Sequence, residues 1–263
     1  MSDALTLSID KRFQGPPDSG NGGYVCGRLA AFIEGPAQVR LVEPPPLEKE
    51  LQIVRHGEAF RLMDGDRLLA EATPSLVDFN APDAPDAMAA AEAAGRYAGY
   101  DKHAFRNCFV CGPDREEGDG LRIFAGAVEP DGAKGAEAGV QSSLHAAPWQ
   151  PHESLGDDIP EGDPAEDPPE EEKPKLVRPE FVWAALDCPG AFANPTFSKA
   201  NPQLLGTMTA DILACPKVGE PCIVTSWHIG KEGRKSYAGT ALYGENGALL
   251  AIARQVWIEV KGE

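Results

Sequence analysis

The most constraining feature of this chain is an element order that occurs twice: a short apolar helix candidate, then a run of strand candidates separated by tight turns. In the first half, a strand-like stretch at residues 5–13 leads through the turn-rich residues 14–20 into a helix candidate at 21–33. Asn21 or Ser19 is suited to cap its start. Strand candidates follow at 37–42, 47–56, 59–63 and 68–79, and Asp64-Gly65-Asp66 supplies a hairpin signal between the last two. Residues 80–104 form a joint, in which Asp86 caps an alanine-rich helix over 87–98. The order then returns. Strands are expected at 121–128 and 140–147, and a helix begins at Pro179, runs to 186 and continues toward Phe192. Strands are expected again at 205–214, 222–230, 235–243 and 248–260, with Gly244-Glu245-Asn246-Gly247 as the last hairpin. The two meanders also correspond locally. Gln52-Ile53-Val54-Arg55-His56-Gly57 precedes Leu68-Leu69-Ala70-Glu71-Ala72, as Ser226-Trp227-His228-Ile229-Gly230 precedes Leu249-Leu250-Ala251-Ile252-Ala253. A repeat of this kind reuses one packing solution, so it speaks to architecture before chemistry.

A length of 263 residues allows one large domain or two modest ones, each with its own core. The expected division is residues 1–80, a helical connector at 81–104, and residues 105–263 with an acidic, proline-rich insertion at about 157–175. That insertion carries nine acidic residues against two lysines, a composition that cannot bury enough apolar surface to offset its ordering entropy. The net charge of −17 argues against nucleic acid and against anionic membrane surfaces, both of which require cationic patches. No apolar run reaches the roughly 18 residues of a membrane span. The opening Met1-Ser2-Asp3-Ala4-Leu5-Thr6 lacks the layout of a signal peptide. The expected compartment is the cytoplasm, with no membrane partner.

Six cysteines, at 26, 108, 111, 188, 215 and 222, need not form disulfides in a chain of this size and setting. Cys108-Phe109-Val110-Cys111 has ligand-like spacing, but a structural zinc site asks for two further ligands, usually at similarly tight spacing. No second pair of that kind follows, so neither a metal nor a cofactor is expected. Gly22, Gly23 and Gly27 are poor helix formers, each costing up to about 1 kcal/mol relative to alanine. Their presence implies close approach of another backbone or of a ligand. Other motifs fail: Gly20-Asn21-Gly22 lacks the third glycine of a dinucleotide fingerprint, and no G-x-S-x-G elbow is present.

One helix followed by a long meander, present twice, resembles a double hotdog: an α+β fold with two antiparallel sheets, each wrapped around a central helix. Pro17-Asp18-Ser19-Gly20-Asn21-Gly22-Gly23 resembles the loop and helix start of hotdog thioesterases, although Asn21 stands where a histidine is common. Cys108-Phe-Val-Cys-Gly-Pro, followed by Gly120-Leu121-Arg122, resembles an opening seen in the 4-hydroxybenzoyl-CoA and phenylacetate-type superfamily, which implies a structural role for Cys108 and Cys111. The second half resembles the type II acyl-CoA thioesterases. That resemblance implies a catalytic set of Asp187 on the helix, Gln255 on the last strand, and a hydroxyl from Thr209 or Thr207. It further implies an acyl-CoA substrate, bound near Asn21, Gly22 and Gly23, and a monomer or homodimer of double hotdogs.

The residues can do this chemistry. Thioester hydrolysis needs an oriented water, a group that takes its proton, and donors for the developing oxyanion. A glycine-rich helix start offers backbone N–H donors. Asp187, in the apolar run Phe181-Val182-Trp183-Ala184-Ala185-Leu186, is expected to be desolvated with a raised pKa. Gln255 can both donate to and accept from water. The plainer readings are that Asp187 ends its helix by bonding to backbone groups, and that Gln255 faces solvent.

Overall fold

The computed structural model describes residues 5–129, 143–157, 175–198 and 202–260. The start of the strand expected at 140–147, residues 140–142, and residues 158–174 of the acidic insertion fall outside these. The elements of the first half are β1 (Thr6–Ser8), α1 (Gly22–Ala30), β2 (Ala37–Leu41), β3 (Glu50–His56), β4 (Ala59–Asp64) and β5 (Arg67–Pro74). The joint holds α2 (Ala87–Gly95) and α3 (Gly99–Lys102). The second half contains β6 (Gly126–Ala127), β7 (His145–Trp149), β8 (Gly156–Asp157), β9 (Leu176–Val177), α4 (Pro179–Asp187) and α5 (Pro189–Phe192), then β10 (Gln203–Ile212), β11 (Cys222–Glu232), β12 (Lys235–Tyr243) and β13 (Leu249–Glu259). No helix among the described residues is long and apolar enough to cross a membrane.

Period-two burial produces the strands: in β3, Leu51 and Ile53 are buried while Gln52 and Val54 face outward. The caps behave as their residue types require. Asn21 Oδ1 accepts from the Tyr24 N–H at 2.9 Å to start α1, and Asp86 Oδ1 accepts from the Ala89 N–H at 2.8 Å to start α2.

Eleven strands form one antiparallel sheet in the order β1-β3-β4-β5-β2-β10-β13-β12-β11-β7-β6. The expectation of two sheets is therefore corrected to one continuous sheet. Its joint is the β2–β10 pair, in which Ala37 to Arg40 face Ala210 to Thr207. Left apart, those two strands would each expose a row of unpaired N–H and C=O groups, and pairing removes both edges. On either side of the joint the strand order is the same, β1-β3-β4-β5-β2 mirrored by β7-β11-β12-β13-β10. Helix α1 precedes β2 as α4 precedes β10.

Three local expectations change. The strand at 5–13 shortens to Thr6–Ser8 because Asp10 caps a 3₁₀ turn over Lys11–Phe13, accepting from the Arg12 N–H at 2.7 Å. The strand at 121–128 shrinks to Gly126–Ala127, since the Leu121 and Ile123 N–H groups donate to Phe109 and Val110 carbonyls at 2.8 and 2.9 Å. The helix from Pro179 breaks after Asp187, where Pro189 has no N–H to continue the ladder, and a short α5 follows.

Helices α1 and α4 pack against one another and rest on the sheet. Their approach explains two of the glycines. A Cβ on Gly23 would come within 2.5 Å of the Asp187 Cβ and 2.7 Å of the Trp183 carbonyl oxygen, and one on Gly27 within 2.5 Å of the Glu180 Cα. The Gly23-to-Gly27 face of α1 thus lets two backbones meet. Around them Phe13, Tyr24, Phe109 and Phe181 form an aromatic cluster, with Phe13 stacked on Tyr24 at 4.1 Å between ring centroids. Residues of both halves belong to this one core.

Candidate active site

The start of α1 meets the end of α4 at a cavity of about 350 Å³. Its lining is mostly apolar and includes Leu41, Phe105, Phe192, Phe197, Leu205 and Trp257, with no lysine or arginine among the described lining residues. Asn21, Gly22 and Asp187 also line it.

Asp187 is the last residue of α4 and is buried. Its Oδ2 accepts from the Asn21 side-chain amide at 2.8 Å and from the Gly23 N–H at 3.0 Å. Its Oδ1 is also buried and has no hydrogen-bond partner among the described residues. Burial pushes this carboxyl up to about 7, against the lowering effect of the Gly23 N–H and the Asn21 amide. Asn21 serves both helices, since its oxygen caps α1 while its nitrogen binds the carboxylate at the end of α4. The Gly22 N–H, in the first turn of α1, has no acceptor among the described residues. Gly22 and Asp187 both line the cavity, the one with a backbone donor and the other with a buried carboxylate oxygen, neither of which has a partner among the described residues.

The remaining expected site residues lie as follows. Gln255 on β13 is fully buried and does not line the cavity. Its Nε2 donates to the Leu186 and Asp187 carbonyl oxygens, the latter at 3.1 Å, and its Oε1 accepts from Trp257 Nε1 at 2.8 Å. The amide holds the C-terminal carbonyls of α4, and Gly190 leaves room for it, because a Cβ there would come within 1.8 Å of Oε1. Thr209 on β10 donates to Gln38 Oε1 on β2 at 3.3 Å, across the joint of the sheet and outside the cavity lining. Asn21, Gly23 and Asp187 are thus in mutual contact, Gln255 touches the Asp187 backbone, and Thr209 stands apart.

A cluster of thiols beside Asp187 was not anticipated. The sulfurs of Cys108, Cys111 and Cys188 all lie within 4.8 Å of one another, and all three residues are buried at the cavity wall. Hydrogen bonds from the Cys111 and Cys188 thiols, then from the Cys111 and Val110 backbone N–H groups, hold the Cys108 thiol well below its ordinary range. His103, at the end of the joint, is buried with Nε2 3.2 Å from Cys111 Sγ. The signal for Cys188 was its place directly after the candidate aspartate.

No protein-family profile matches the sequence, and no curated protein matches it. Solved structures do. With its helices packed on a large antiparallel sheet, the chain has a hotdog-type α+β fold. A conserved protein of unknown function with hotdog fold from Alicyclobacillus acidocaldarius matches over 99% of this chain and 94% of its own, at TM-score 0.54 and 11% identity. The acyl-CoA thioesterase II of Mycobacterium marinum matches over 97% of this chain and 92% of its own, with TM-score 0.57 and 11% identity. The tesB protein of Mycobacterium avium subspecies paratuberculosis matches over the same shares, with TM-score 0.55 and 12% identity. At these identities the likeness is one of fold.

Proposed function

We propose that this chain is a double hotdog that hydrolyses acyl thioesters, with an acyl-CoA as substrate and the cavity between α1 and α4 as its site. The carrying observation is the Asp187 carboxylate, with Oδ2 fixed by Asn21 and Gly23 and Oδ1 without a partner among the described residues, beside the Gly22 N–H, which has no acceptor among them. The mirrored strand order supports two hotdog units in one chain, residues 1–80 and 105–263, joined through 81–104. The similarity to a structure named as an acyl-CoA thioesterase II supports the substrate class.

In this reading the acyl chain occupies the apolar part of the cavity, and its carbonyl oxygen accepts from the Gly22 N–H. That donor is fixed before the reaction and faces the developing negative charge, with the positive end of the helix dipole behind it. Asp187 Oδ1 accepts a proton as water attacks the carbonyl carbon. The tetrahedral intermediate then expels the thiolate, which takes the proton from Asp187 and leaves as the thiol while the acid remains. Asn21 is the positioning residue for the carboxylate. Gln255 positions the end of α4 through the Leu186 and Asp187 carbonyls. Thr209 has no part in the chemistry.

The test is release of free thiol from short, medium and aromatic acyl-CoAs, with Asp187→Ala as the control. Turnover by the wild-type chain that the variant loses supports the mechanism, and full activity in the variant removes it. A second reading, an acyl-ligand binding protein without turnover, is favoured by the full engagement of the Gln255 amide. Saturable acyl-CoA binding with no thiol release across the panel selects it.

A further inference from the structure

We propose that Cys108, Cys111 and Cys188 bind a zinc ion that fastens the residue 103–111 loop to the end of α4. The site is separate in kind from the hydrolytic reading and stands without it. Three buried sulfurs within 4.8 Å of one another come from two segments, Cys108 and Cys188 being 80 residues apart in the chain. Tetrahedral zinc with sulfur at about 2.3 Å puts its thiolates about 3.8 Å apart. The Cys108–Cys188 separation of 3.5 Å is close to that edge and far from the roughly 2.05 Å of a disulfide.

The sulfurs have polar neighbours. Buried cysteines that merely fill a core sit among apolar groups. Here a side-chain amide and an imidazole reach them. The Asn21 amide lies 3.8 Å from Cys108 Sγ and 3.9 Å from Cys188 Sγ. The C-x-x-C turn is drawn tight by the Gly112 N–H donating to the Cys108 carbonyl at 2.9 Å. A Cβ on Gly112 would come within 2.4 Å of the Arg106 carbonyl oxygen, so the turn admits no side chain there.

His103 is placed as a supporting group. Its Nδ1 accepts from the Phe105 N–H at 2.9 Å, so in the neutral ring Nε2 carries the proton and points it at Cys111 Sγ. Three thiolates and one divalent zinc leave a net negative charge, and His103 and Asn21 are the outer-shell donors that offset it. Each thiol entering the shell gives its proton to solvent. The three ligands leave a fourth position, and because all three cysteines line the cavity, that position is open to water there. Sulfur ligands in this number favour zinc over calcium or magnesium, which take oxygen.

The experiment is metal analysis of the full-length, untagged chain purified without chelator, followed by replacement with cobalt(II). The expected result is about one zinc per chain, and in the cobalt form an intense thiolate-to-metal charge-transfer band. Cys111→Ser and Cys188→Ser are expected to lower metal retention at least about tenfold. Cys215→Ser, outside the cluster, leaves it unchanged. A folded wild-type chain that holds no zinc and gives no cobalt–thiolate band overturns the proposal, as does a Cys108–Cys188 disulfide in the protein as isolated. The wild-type spectrum needs no variant to fold. Both readouts are independent of thioester turnover, so the metal site and the hydrolytic reading fail separately.

Discussion

Helices α1 and α4 are each nine residues long and stand at the same place in the two mirrored halves, yet their ends carry different chemistry. Matched end to end, Asn21 corresponds to Arg178, Gly22 to Pro179 and Asp187 to Ala30. The helices pack so that the start of α1 meets the end of α4, with Gly23 against Asp187, and the start of α4 meets α1 further along, with Glu180 against Gly27. The first meeting joins a side-chain cap, an open N–H and a carboxylate. The second has a proline without an N–H where α4 begins and an alanine where α1 ends. A fold with internal symmetry thus carries an asymmetric pair of helix ends, and one of them alone has the groups that thioester hydrolysis requires.

The largest effect that bears on this contrast is at the carboxylate. Asp187→Asn is expected to lower the rate of thiol release by about 10²–10⁴-fold, the usual worth of a positioned acid–base group. Ala30→Ser, at the matching end of α1, is expected to leave it unchanged. Next is the helix contact. Gly23→Ala forces a methyl against the Asp187 Cβ and the Trp183 carbonyl oxygen and is expected to cost about 1–3 kcal/mol in urea unfolding. Glu180→Ala, its counterpart on α4, removes a partly exposed ion pair with Arg178 and is expected to cost no more than about 1 kcal/mol. Asn21→Ala removes the α1 cap and should cost about 0.5–2 kcal/mol by the same measurement. Arg178→Ala lacks that contribution because no side-chain cap bond exists there. The smallest effect is expected from Thr209→Val, which loses one hydrogen bond across the joint for about 0.5–1 kcal/mol and leaves turnover intact. A large loss of turnover in that variant would return Thr209 to the chemistry.

What could be read from the sequence follows the range of the interactions involved. The helix start at Asn21, the α2 cap at Asp86 and the long strands β10 to β13 are set by neighbouring residues, so periodicity and capping chemistry locate them. The burial of Asp187 was legible for the same reason, since the residues before it are apolar on every face of the helix. The β2–β10 joint was not legible, because it pairs strands from remote parts of the chain and nothing local marks either one as an interior strand. Leu121 and Ile123 have the composition of a strand, but their N–H groups bond to the loop that carries the C-x-x-C turn. For Gln255, alternation gives a face of β13 but not the carbonyls of α4 that its amide reaches. Cys188 joins Cys108 and Cys111 only through tertiary structure, so ligand spacing along the chain could not find it.

The most direct measurement is a crystal structure of the chain with a non-hydrolysable acyl-CoA analogue that keeps the carbonyl and replaces the thioester linkage. The expected density places the acyl chain beside Leu205, Phe192 and Trp257, and the carbonyl oxygen within hydrogen-bond reach of the Gly22 N–H, next to Asp187. Density at the opposite meeting of the helices, where Pro179 begins α4, or a carbonyl remote from both Gly22 and Asp187, contradicts it.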